Sequence, residues 1–530
     1  MNNLNKAAYP LIGSVLVVIG LILGLSLRET KYMYNSPEMS EYSQKLTDII
    51  HILDKQYVDT IDKKQLFEKT ITTLLHELDP HSSYIAAEDL AEMNEGIQGK
   101  FGGVGIRFTI YDDTLSVVNV VAGSPAYSVG VKKFDQIIEV DGENIAGVGL
   151  SNDKVRNMLK GKEGTPVDVV LLRENQILPK TIVRGMVPLE SVNAYYMITD
   201  DIGYIRLGQF SMQSANEFYY AAIELQKEGM KDLIFDLRYN GGGVLGSAVA
   251  ILETMLERGT PIVSTKGKAS PEQTIYAEGQ PFLKDVGIAV LINSSSASAS
   301  EIVAGAIQDN DRGTIIGRRS FGKGLVQQSI PLRDGSDLRL TVSRYYTPTG
   351  RSIQKPYSGN YEDYMMEELQ RYEEGELYAV DSSLMVDSLK YITPKGKVVY
   401  GGGGIMPDVF VPLDTVGVTS YYRKLQFAGV FNEYSFQFAR FHDLNKYESY
   451  RDFDKKFHVS DKIIQDFVEF GEKKYDIPVD SNQMKTSLNL IKNKLKGEVA
   501  RQKWLEKGAF FIFNQIDKEI EIAIETLENK

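Results

Sequence analysis

The chain contains no cysteine and only five histidines among its 530 residues. The lack of cysteine excludes thiol catalysis, disulfide bonds and cysteine-ligated metal sites, although it does not assign a compartment. No histidine lies between Ser82 and Phe441, because the five are His51, His76, His81, His442 and His458. A conventional Ser-His-Asp triad would therefore need a histidine from a flanking region.

An excess of basic charge is also lacking. The 59 lysines and arginines are outnumbered by 71 aspartates and glutamates, and the net charge is -12. This balance argues against nucleic acid as the main partner, since phosphate binding needs a positively charged surface. The remaining composition, 43% apolar and 25% charged, is that of a globular protein long enough for several domains.

Residues 7–27 form an uncharged run, which would span about 30 Å as a helix of about 21 residues. That length predicts one transmembrane anchor in residues 1–28. A cleaved signal peptide is the alternative, but the run is longer than a typical signal core and lacks a clear A-x-A-like cleavage site.

The hydrophobic pattern changes several times along the chain. Residues 29–98 carry apolar side chains at helical spacing, and residues 99–184 form short β-rich runs with two helical candidates. Strands and helices then alternate in residues 185–412, as in an α/β sheet, with an acidic, tyrosine-rich insertion near 357–390. Residues 413–530 are largely helical and are interpreted as a packed or oligomerising extension without chemistry.

A cluster of serines and alanines at residues 294–300 precedes a predicted helix, and a lone lysine, Lys323, follows Ser298 by 25 positions. A helix N-terminus concentrates partial positive charge, which suits an oxyanion. The first candidate oxyanion donor is the backbone N–H of Ala299, and a second is expected in the glycine turn that contains Gly241 and Gly242. This arrangement predicts a hydrolase that works without histidine.

A free lysine is a poor base at neutral pH, so Lys323 would need a partly dry site that lowers its pKa. Lys323, Leu325 and Gln327 alternate along a predicted strand, and we expect the lysine and the glutamine to point the same way. Gln327 would orient the amine without adding a charge. The same segment nearly matches a phosphate-binding loop, but Gly324 stands where that loop needs a hydroxyl, and a strand follows instead of a helix.

Seven motifs, in order, resemble those of the carboxyl-terminal processing proteases, also called tail-specific proteases. They are LDPHSSY at 78–84, FGGVGI at 101–106, DLRYNGGG at 236–243, SASASEI at 296–302, FGKGLVQ at 321–327, RYYTPTGRSIQ at 344–354 and GGGGIMPDV at 401–409. The resemblance implies a multidomain α/β protein, with a crotonase/ClpP-like protease core, an inserted PDZ-like domain, amino-terminal helices and a helical extension after one transmembrane helix.

The resemblance also implies residue roles. Ser298 would be the nucleophile, Lys323 the general base and Gln327 its orienting partner, with Ser296 and Ser300 as the rival serines. Ala299 and either Gly241 or Gly242 would line the oxyanion hole. Asp309 is implied as a nearby structural carboxylate, and neither a metal nor a cofactor is expected.

Residues 100–184 resemble a PDZ domain that would hold the carboxyl terminus of a substrate. Its carboxylate loop would contain Gly102, Gly103, Val104 and Gly105, and its pairing strand would contain Val104, Ile106 and Phe108. An apolar pocket would be shaped by Val155 and Leu159. We expect this domain to gate the active site.

The expected function is therefore a serine endopeptidase of Ser-Lys type, acting on proteins or peptides with free carboxyl termini. It would be a single-pass protein of the bacterial cell membrane, with its catalytic region in the periplasm or outside the cell. An adaptor protein and a homo-oligomer stay open as partners. The rival hypothesis is a catalytically silent scaffold that binds protein tails through its PDZ-like domain.

Overall fold

The computed structural model describes residues 37–381, 383 and 385–529. The expected anchor or signal at residues 1–28 lies outside the described residues. In the part of the chain that was described, no helix is long and apolar enough to cross a membrane. The chain divides into two compact units, with the boundary after Leu74.

The first unit consists mainly of two helices, α1 (Pro37–Gln56) and α2 (Lys63–His76). The last two residues of α2 belong to the second unit, which begins at Leu75. Their apolar side chains recur at helical spacing, as the pattern between residues 39 and 78 predicts. Several of these side chains stay exposed, among them Leu46 at 49% and Leu74 at 63%.

The second unit begins with a strand and a helix that lead into a β-rich domain. Their bounds are β1 (Ser83–Ile85), α3 (Leu90–Gln98), β2 (Lys100–Gly103), β3 (Ile106–Tyr111), β4 (Thr114–Val120), α4 (Pro125–Ser128), β5 (Gln136–Val140), β6 (Glu143–Asn144), α5 (Asn152–Leu159), β7 (Pro166–Arg173), β8 (Gln176–Val183) and β9 (Gly185–Pro188). The main sheet has the order β3-β4-β5-β7-β8, while β2 pairs with β9 where the chain enters and leaves the domain. Alternate residues of β7, namely Val167, Val169 and Leu171, fill the core, as expected of a strand with one buried face.

An α/β region follows. Its elements are β10 (Val192–Met197), β11 (Ile202–Leu207), α6 (Ser214–Lys227), β12 (Asp232–Asp236), α7 (Leu245–Leu252), β13 (Pro261–Lys266), β14 (Gln273–Tyr276), β15 (Gly287–Ile292), α8 (Ala299–Asp309), β16 (Thr314–Gly317), β17 (Leu325–Pro331), β18 (Asp337–Tyr346), α9 (Tyr361–Glu373), β19 (Lys390–Ile392), β20 (Val398–Tyr400) and β21 (Val409–Phe410). The central sheet has the order β10-β11-β12-β15-β16-β21, and every pair is parallel except β10 with β11. A second sheet has the order β1-β18-β13-β14, with β17 paired to β18. The ends of the parallel strands therefore meet along one edge, where the candidate site lies.

Helices dominate the carboxyl-terminal extension, as expected. They are α10 (Ser420–Phe427), α11 (Val430–Phe441), α12 (Tyr450–Lys456), α13 (Asp461–Tyr475), α14 (Ser481–Phe513) and α15 (Lys518–Glu528).

Both faces of the central sheet are covered, and the extension covers one of them. In β12, Leu233 and Phe235 face the cluster formed with α6, α7 and α8. Ile234 between them faces the opposite cluster, which contains Ile520 and Ala523 of α15. Since strand side chains alternate between faces, α15 replaces solvent on the second face of the sheet.

The extension also packs against the β-rich domain. The Phe436 ring lies 5.9 Å from the ring of Tyr111 and 5.4 Å from that of Phe134. Lys474 Nζ donates to Asp112 Oδ1 at 2.5 Å, next to the turn between β3 and β4. The extension therefore contacts the α/β region and the β-rich domain together.

Candidate active site

Ser298 occupies a sharp turn between β15 and the first residue of α8. Its backbone has φ 54° and ψ -112°, a conformation that residues other than glycine rarely adopt. Such strain persists where the surrounding contacts impose it, and it is concentrated at functional sites. Here the turn presents Ser298 at the N-terminus of α8.

Burial and hydrogen bonding distinguish the three serines of the SASASEI motif. Ser296 and Ser300 are both 0% exposed, and their hydroxyls donate to the carbonyls of Leu237 and Asn240, each at 2.8 Å. Ser298 is only half-buried; its oxygen faces the backbone N–H of Glu301 in a capping box, but among the described residues its hydroxyl donates no hydrogen bond. Ser298 is therefore the serine of this motif whose hydroxyl proton is not committed to a carbonyl.

A buried carboxylate, Glu301, joins the Ser298 turn to the Lys323 loop. One oxygen, Oε2, accepts from the backbone N–H of Ser298 and from that of Lys323, each at 2.8 Å. The two nitrogens thus lie at most twice that distance apart. The other oxygen, Oε1, accepts from Gly322 N at 2.7 Å and from Ser320 Oγ at 2.6 Å. Burial raises the pKa of Glu301 to about 7, against these hydrogen bonds, which favour the carboxylate.

A tyrosine hydroxyl bridges the same two residues through their carbonyls. Tyr345 Oη, at the end of β18, lies 3.2 Å from the carbonyl oxygen of Ser298 and also donates to that of Lys323. The Tyr345 side chain is 1% exposed. The backbones of Ser298 and Lys323 are therefore held together by two buried side chains, Glu301 and Tyr345, which lie within the quoted motifs but were assigned no role from the sequence.

Lys323 lies just before β17 and is half-buried. Burial lowers the pKa of its ammonium, while the charges of Glu301 and Asp79 act in the opposite direction and Arg339 adds to the lowering. Its Nζ has no hydrogen-bond partner within residues 37–381, 383 and 385–529, so none joins it to Ser298 Oγ. Catalytic hydrogen bonds are often long without substrate and shorten when substrate binds.

Gln327 makes no hydrogen bond with Lys323 among the described residues. Strand β17 begins only at Leu325, so Lys323 lies before the strand whose alternation would align the two side chains. Gln327 Nε2 donates instead to Thr341 Oγ1 at 3.1 Å. The register between β17 and β18 shifts beside Val326, because β18 has one extra residue there, Val342.

The LDPHSSY motif forms a turn near Lys323, on which the charge of Asp79 acts. Asp79 Oδ1 accepts from Thr341 Oγ1 at 3.0 Å and from His81 N at 2.8 Å, and Oδ2 accepts from Ser82 Oγ at 2.6 Å. Thr341 Oγ1 also accepts the hydrogen bond from Gln327, so a continuous series of hydrogen bonds links Gln327 to Asp79 through Thr341.

His81 brings a histidine close to the candidate base. Burial, together with the charge of Lys323, lowers the pKa of His81 to about 3. Its Nε2 hydrogen-bonds with Tyr364 Oη at 2.9 Å. A histidine with so low a pKa is a far weaker base than a lysine in the same place.

The backbone N–H groups of the candidate oxyanion donors differ in whether they already donate a hydrogen bond. Gly242 packs against the Ser298 turn, since an added Cβ would lie 2.7 Å from Ser298 Cβ, but its N–H donates to Asn240 Oδ1 at 2.9 Å. Among the described residues, the N–H of Gly241 makes no hydrogen bond. Ala299 is the first residue of α8, where a helix N–H has no intrahelical acceptor. Ala299 and Gly241 are therefore the candidates whose backbone N–H groups are not already engaged.

The acidic insertion packs against these loops. Glu368 of α9 accepts from the hydroxyls of Ser294 at 2.6 Å and Ser295 at 3.2 Å. Arg371 of the same helix donates to the carbonyl of Ser320 at 3.0 Å. The insertion thus forms part of the wall around the Ser298 turn and the Lys323 loop.

The β-rich domain contains a cavity of about 200 Å³ where a peptide terminus is expected. The predicted residues Val104, Gly105, Ile106, Phe108 and Leu159 line it. The backbone N–H groups of Val104 and Gly105 have no acceptor among the described residues. Free amides above an apolar pocket suit a carboxylate followed by an apolar side chain.

Three predicted groove residues lie elsewhere. Val155 is 1% exposed and belongs to the core of the domain, because it projects from α5 toward the sheet. Gly102 and Gly103 are part of β2, where Gly102 accepts from Gly161 N at 3.1 Å and Gly103 pairs with Gly185. Phe101, Arg156 and Lys160, which the sequence did not single out, complete the cavity lining.

Asp309 lies at the opposite end of α8 from Ser298. Its Oδ1 accepts from Arg351 Nη2 at 2.7 Å, and both side chains are 0% exposed. Thr349 donates to the other oxygen. Asp309 is thus a buried structural carboxylate that lies away from the catalytic groups.

Comparison with protein families matches three segments. Residues 201–364 match peptidase family S41, residues 102–182 match a PDZ domain, and residues 421–505 match DUF8443, a family of unknown function.

Comparison with individual proteins finds relatives that this chain matches over most of the relatives' length. A carboxy-terminal-processing protease of Bartonella bacilliformis is 38% identical over 350 residues, covering 64% of this chain and 80% of the relative. A "Probable CtpA-like serine protease" of Staphylococcus aureus is 31% identical over 347 residues, covering 65% of this chain and 69% of the relative. The solved photosystem II D1 C-terminal processing protease is 25% identical, covering 70% of this chain and 93% of that one, at a TM-score of 0.36.

We expect Glu301→Gln to lower kcat by about ten- to a hundredfold, the effect of losing charge-assisted hydrogen bonds at the site. A glutamine amide has one acceptor oxygen, so it cannot accept from Ser298 N and Lys323 N at one end while also accepting from Gly322 N and Ser320 Oγ at the other. The measurement is steady-state kinetics on an unstructured protein, with thermal unfolding recorded in parallel. Glu253→Gln is the matched control, since Glu253 accepts from Glu278 N away from the site. A kcat within about twofold of the parent would contradict the bridging role.

Proposed function

We propose that this chain, which belongs to the carboxyl-terminal processing serine proteases of peptidase family S41, uses Ser298 as its nucleophile and Lys323 as its general base. The observation that carries the assignment is the Glu301 bridge, which holds the backbones of these two residues together. Ser298 is also the serine of the SASASEI motif whose hydroxyl proton is not committed to a carbonyl.

The reaction begins when the Ser298 hydroxyl attacks the carbonyl carbon of the scissile peptide bond and its proton passes to neutral Lys323. The resulting oxyanion accepts hydrogen bonds from the N–H groups of Ala299 and Gly241. Lys323 then returns the proton to the leaving amine as the C–N bond breaks, which leaves an acyl-enzyme ester on Ser298. Water, deprotonated by Lys323, hydrolyses the ester and restores the hydroxyl.

Gln327 acts in this proposal as the orienting partner of the base. In the substrate-free structure its amide bonds Thr341, within the chain that ends at Asp79. A short rotation of Lys323 toward this amide would align the amine with Ser298 without placing a carboxylate in direct contact with it. A neutral partner keeps the lysine pKa low, which a carboxylate would not.

The PDZ domain supplies substrate selection. Its groove suits proteins and peptides with a free, apolar carboxyl terminus, because an extended tail can pair with β3 while its last side chain enters the cavity. Tail binding is proposed to gate the catalytic loops. An adaptor protein and self-association are further partners that the proposal leaves open.

The proposal includes a membrane anchor at residues 7–27, supported by the length of that uncharged run. The catalytic region would lie on the extracytoplasmic side of a bacterial cell membrane.

The first test compares the full-length parent with Ser298→Ala and Lys323→Ala on an unstructured protein with an apolar tail. We expect each substitution to lower kcat by more than about a thousandfold, because nucleophile and base act as one unit. Lys284→Ala, an exposed lysine of the same domain, is the control and should match the parent.

Two results would contradict this assignment. If His81→Gln abolished cleavage while Lys323→Ala retained it, the base would be the histidine. If the parent bound tailed peptides but cleaved none, the protein would be the tail-binding scaffold.

The pH dependence follows from the lowered pKa of Lys323. The base must be neutral, and its neutral fraction grows as pH rises. We therefore expect kcat/KM to increase with pH and to reach half its maximum below the ordinary lysine pKa of about 10.4. A pH series from mildly acidic to alkaline conditions measures this midpoint. A rate that fell steadily as pH rose through neutrality would have the wrong sign for a lysine base.

Tail recognition is tested by Ile106→Asp, which places a negative charge in the apolar pocket. We expect KM for a tailed substrate to rise by about tenfold or more, since the pocket would repel a carboxylate terminus. Cleavage of a short peptide without that tail should change little. Ile177→Asp is the matched control, because Ile177 is 66% exposed on β8 of the same domain and lies outside the pocket lining. Equal effects of both substitutions would refute the groove.

A further inference from the structure

Glu519, a buried carboxylate of the carboxyl-terminal extension, contacts two of the loops that carry the proposed catalytic groups, the turn with Gly241 and the loop with Lys323. It lies in the first turn of α15 and is 5% exposed. Its Oε2 accepts from Nη1 of Arg238, and its Oε1 accepts from Nη1 of Arg318. Each carboxylate oxygen therefore binds a different arginine.

The two arginines begin different parts of the catalytic machinery. Arg238 lies just beyond β12, three residues before the oxyanion candidate Gly241. Arg318 directly follows β16 and begins the loop that ends at Lys323. The two loops follow β12 and β16, which do not pair with each other because β15 lies between them in the sheet. Glu519 therefore links two loops whose strands are not neighbours.

The contact belongs to a charge-balanced cluster. Asp236 is 0% exposed and accepts from Arg206, Arg238 and the hydroxyl of Tyr204. Asp517, the N-cap residue of α15, accepts from Arg238 Nη1 at 2.8 Å. Three carboxylates, those of Asp236, Asp517 and Glu519, thus face three guanidinium groups, those of Arg206, Arg238 and Arg318. Removing one partner of a buried ion pair leaves an uncompensated charge, which the surrounding loops must move to solvate.

We propose that the carboxyl-terminal extension is a working part of the protease, in which Glu519 is a positioning residue for the oxyanion turn and the Lys323 loop. The Glu301 bridge connects the Lys323 loop to Ser298. Glu519 holds the first residues of the oxyanion turn and of the Lys323 loop, namely Arg238 and Arg318. This inference rests on the proposed roles of Ser298 and Lys323.

The test is Glu519→Gln in the full-length chain, which keeps the shape of the side chain but removes its charge. An amide offers one acceptor oxygen, so one of the two arginine contacts is lost. We expect kcat to fall by about tenfold with KM changed less than about twofold, because small displacements of catalytic groups affect the chemical step more than binding. Glu521→Gln is the matched control, since Glu521 lies on the same helix, is exposed and pairs only with Lys518 in the described chain.

A purely structural role is separated by further measurements. Kinetics are recorded well below the unfolding temperature, so that a lower stability alone leaves kcat unchanged. The double variant Glu519→Gln/Arg318→Gln should lose less activity than the product of the two single effects, because both changes weaken the same Glu519–Arg318 contact. If Glu519→Gln does not fold, Arg318→Gln provides the same comparison and leaves Arg238 paired with Asp517.

A parental kcat in Glu519→Gln, with Ser298→Ala inactive, would overturn this inference and leave the proposed function intact. Full additivity in the double variant would also overturn it. Parental activity of Ser298→Ala would instead refute the proposed function itself.

Discussion

The catalytic geometry depends on one buried carboxylate, that of Glu301, which accepts hydrogen bonds from the backbones of both Ser298 and Lys323. A side chain three residues into α8 thereby specifies where the strained Ser298 turn sits relative to a loop that comes from a different strand. Because both contacts are to backbone N–H groups, they hold the two backbones in place and leave the reactive side chains free to move. The backbone positions of the two residues are thus fixed, while the serine and lysine side chains keep the freedom to move that proton transfer requires.

The same edge of the sheet depends on the extension. Glu519 contacts the two arginines that begin the catalytic loops, while Ile520 and Ala523 of the same helix pack on the sheet behind them. The extension also touches the PDZ domain through Phe436. The extension therefore covers one face of the sheet and contacts both the proposed catalytic loops, through α15, and the PDZ domain, through α11.

Periodicity and motifs predict most of the elements that position the site, including α6, β12, β15, α8 and the strand after Lys323. They also place Ser298 and Lys323 at the joins between elements. The hydrogen bond of Gln327 to Thr341 is not predicted, since Lys323 lies before β17 and outside the alternation that would align the two side chains. Val155 lies outside the cavity lining although Leu159 of the same helix belongs to it, because one helix faces both a core and a groove. Asp79 and Glu519 reach the site from 200 or more residues away, and no local pattern carries such distances.

The environment of Lys323 combines opposing electrostatic effects. Burial favours a neutral amine, whereas the nearby carboxylates of Glu301 and Asp79 favour the ammonium, and the pKa still falls below its usual value. Burial raises the pKa of Glu301 to about 7, but the four hydrogen bonds that its two oxygens accept favour the carboxylate. A carboxylate near the amine favours the ammonium, so the low pKa of Lys323 depends on the burial of its side chain.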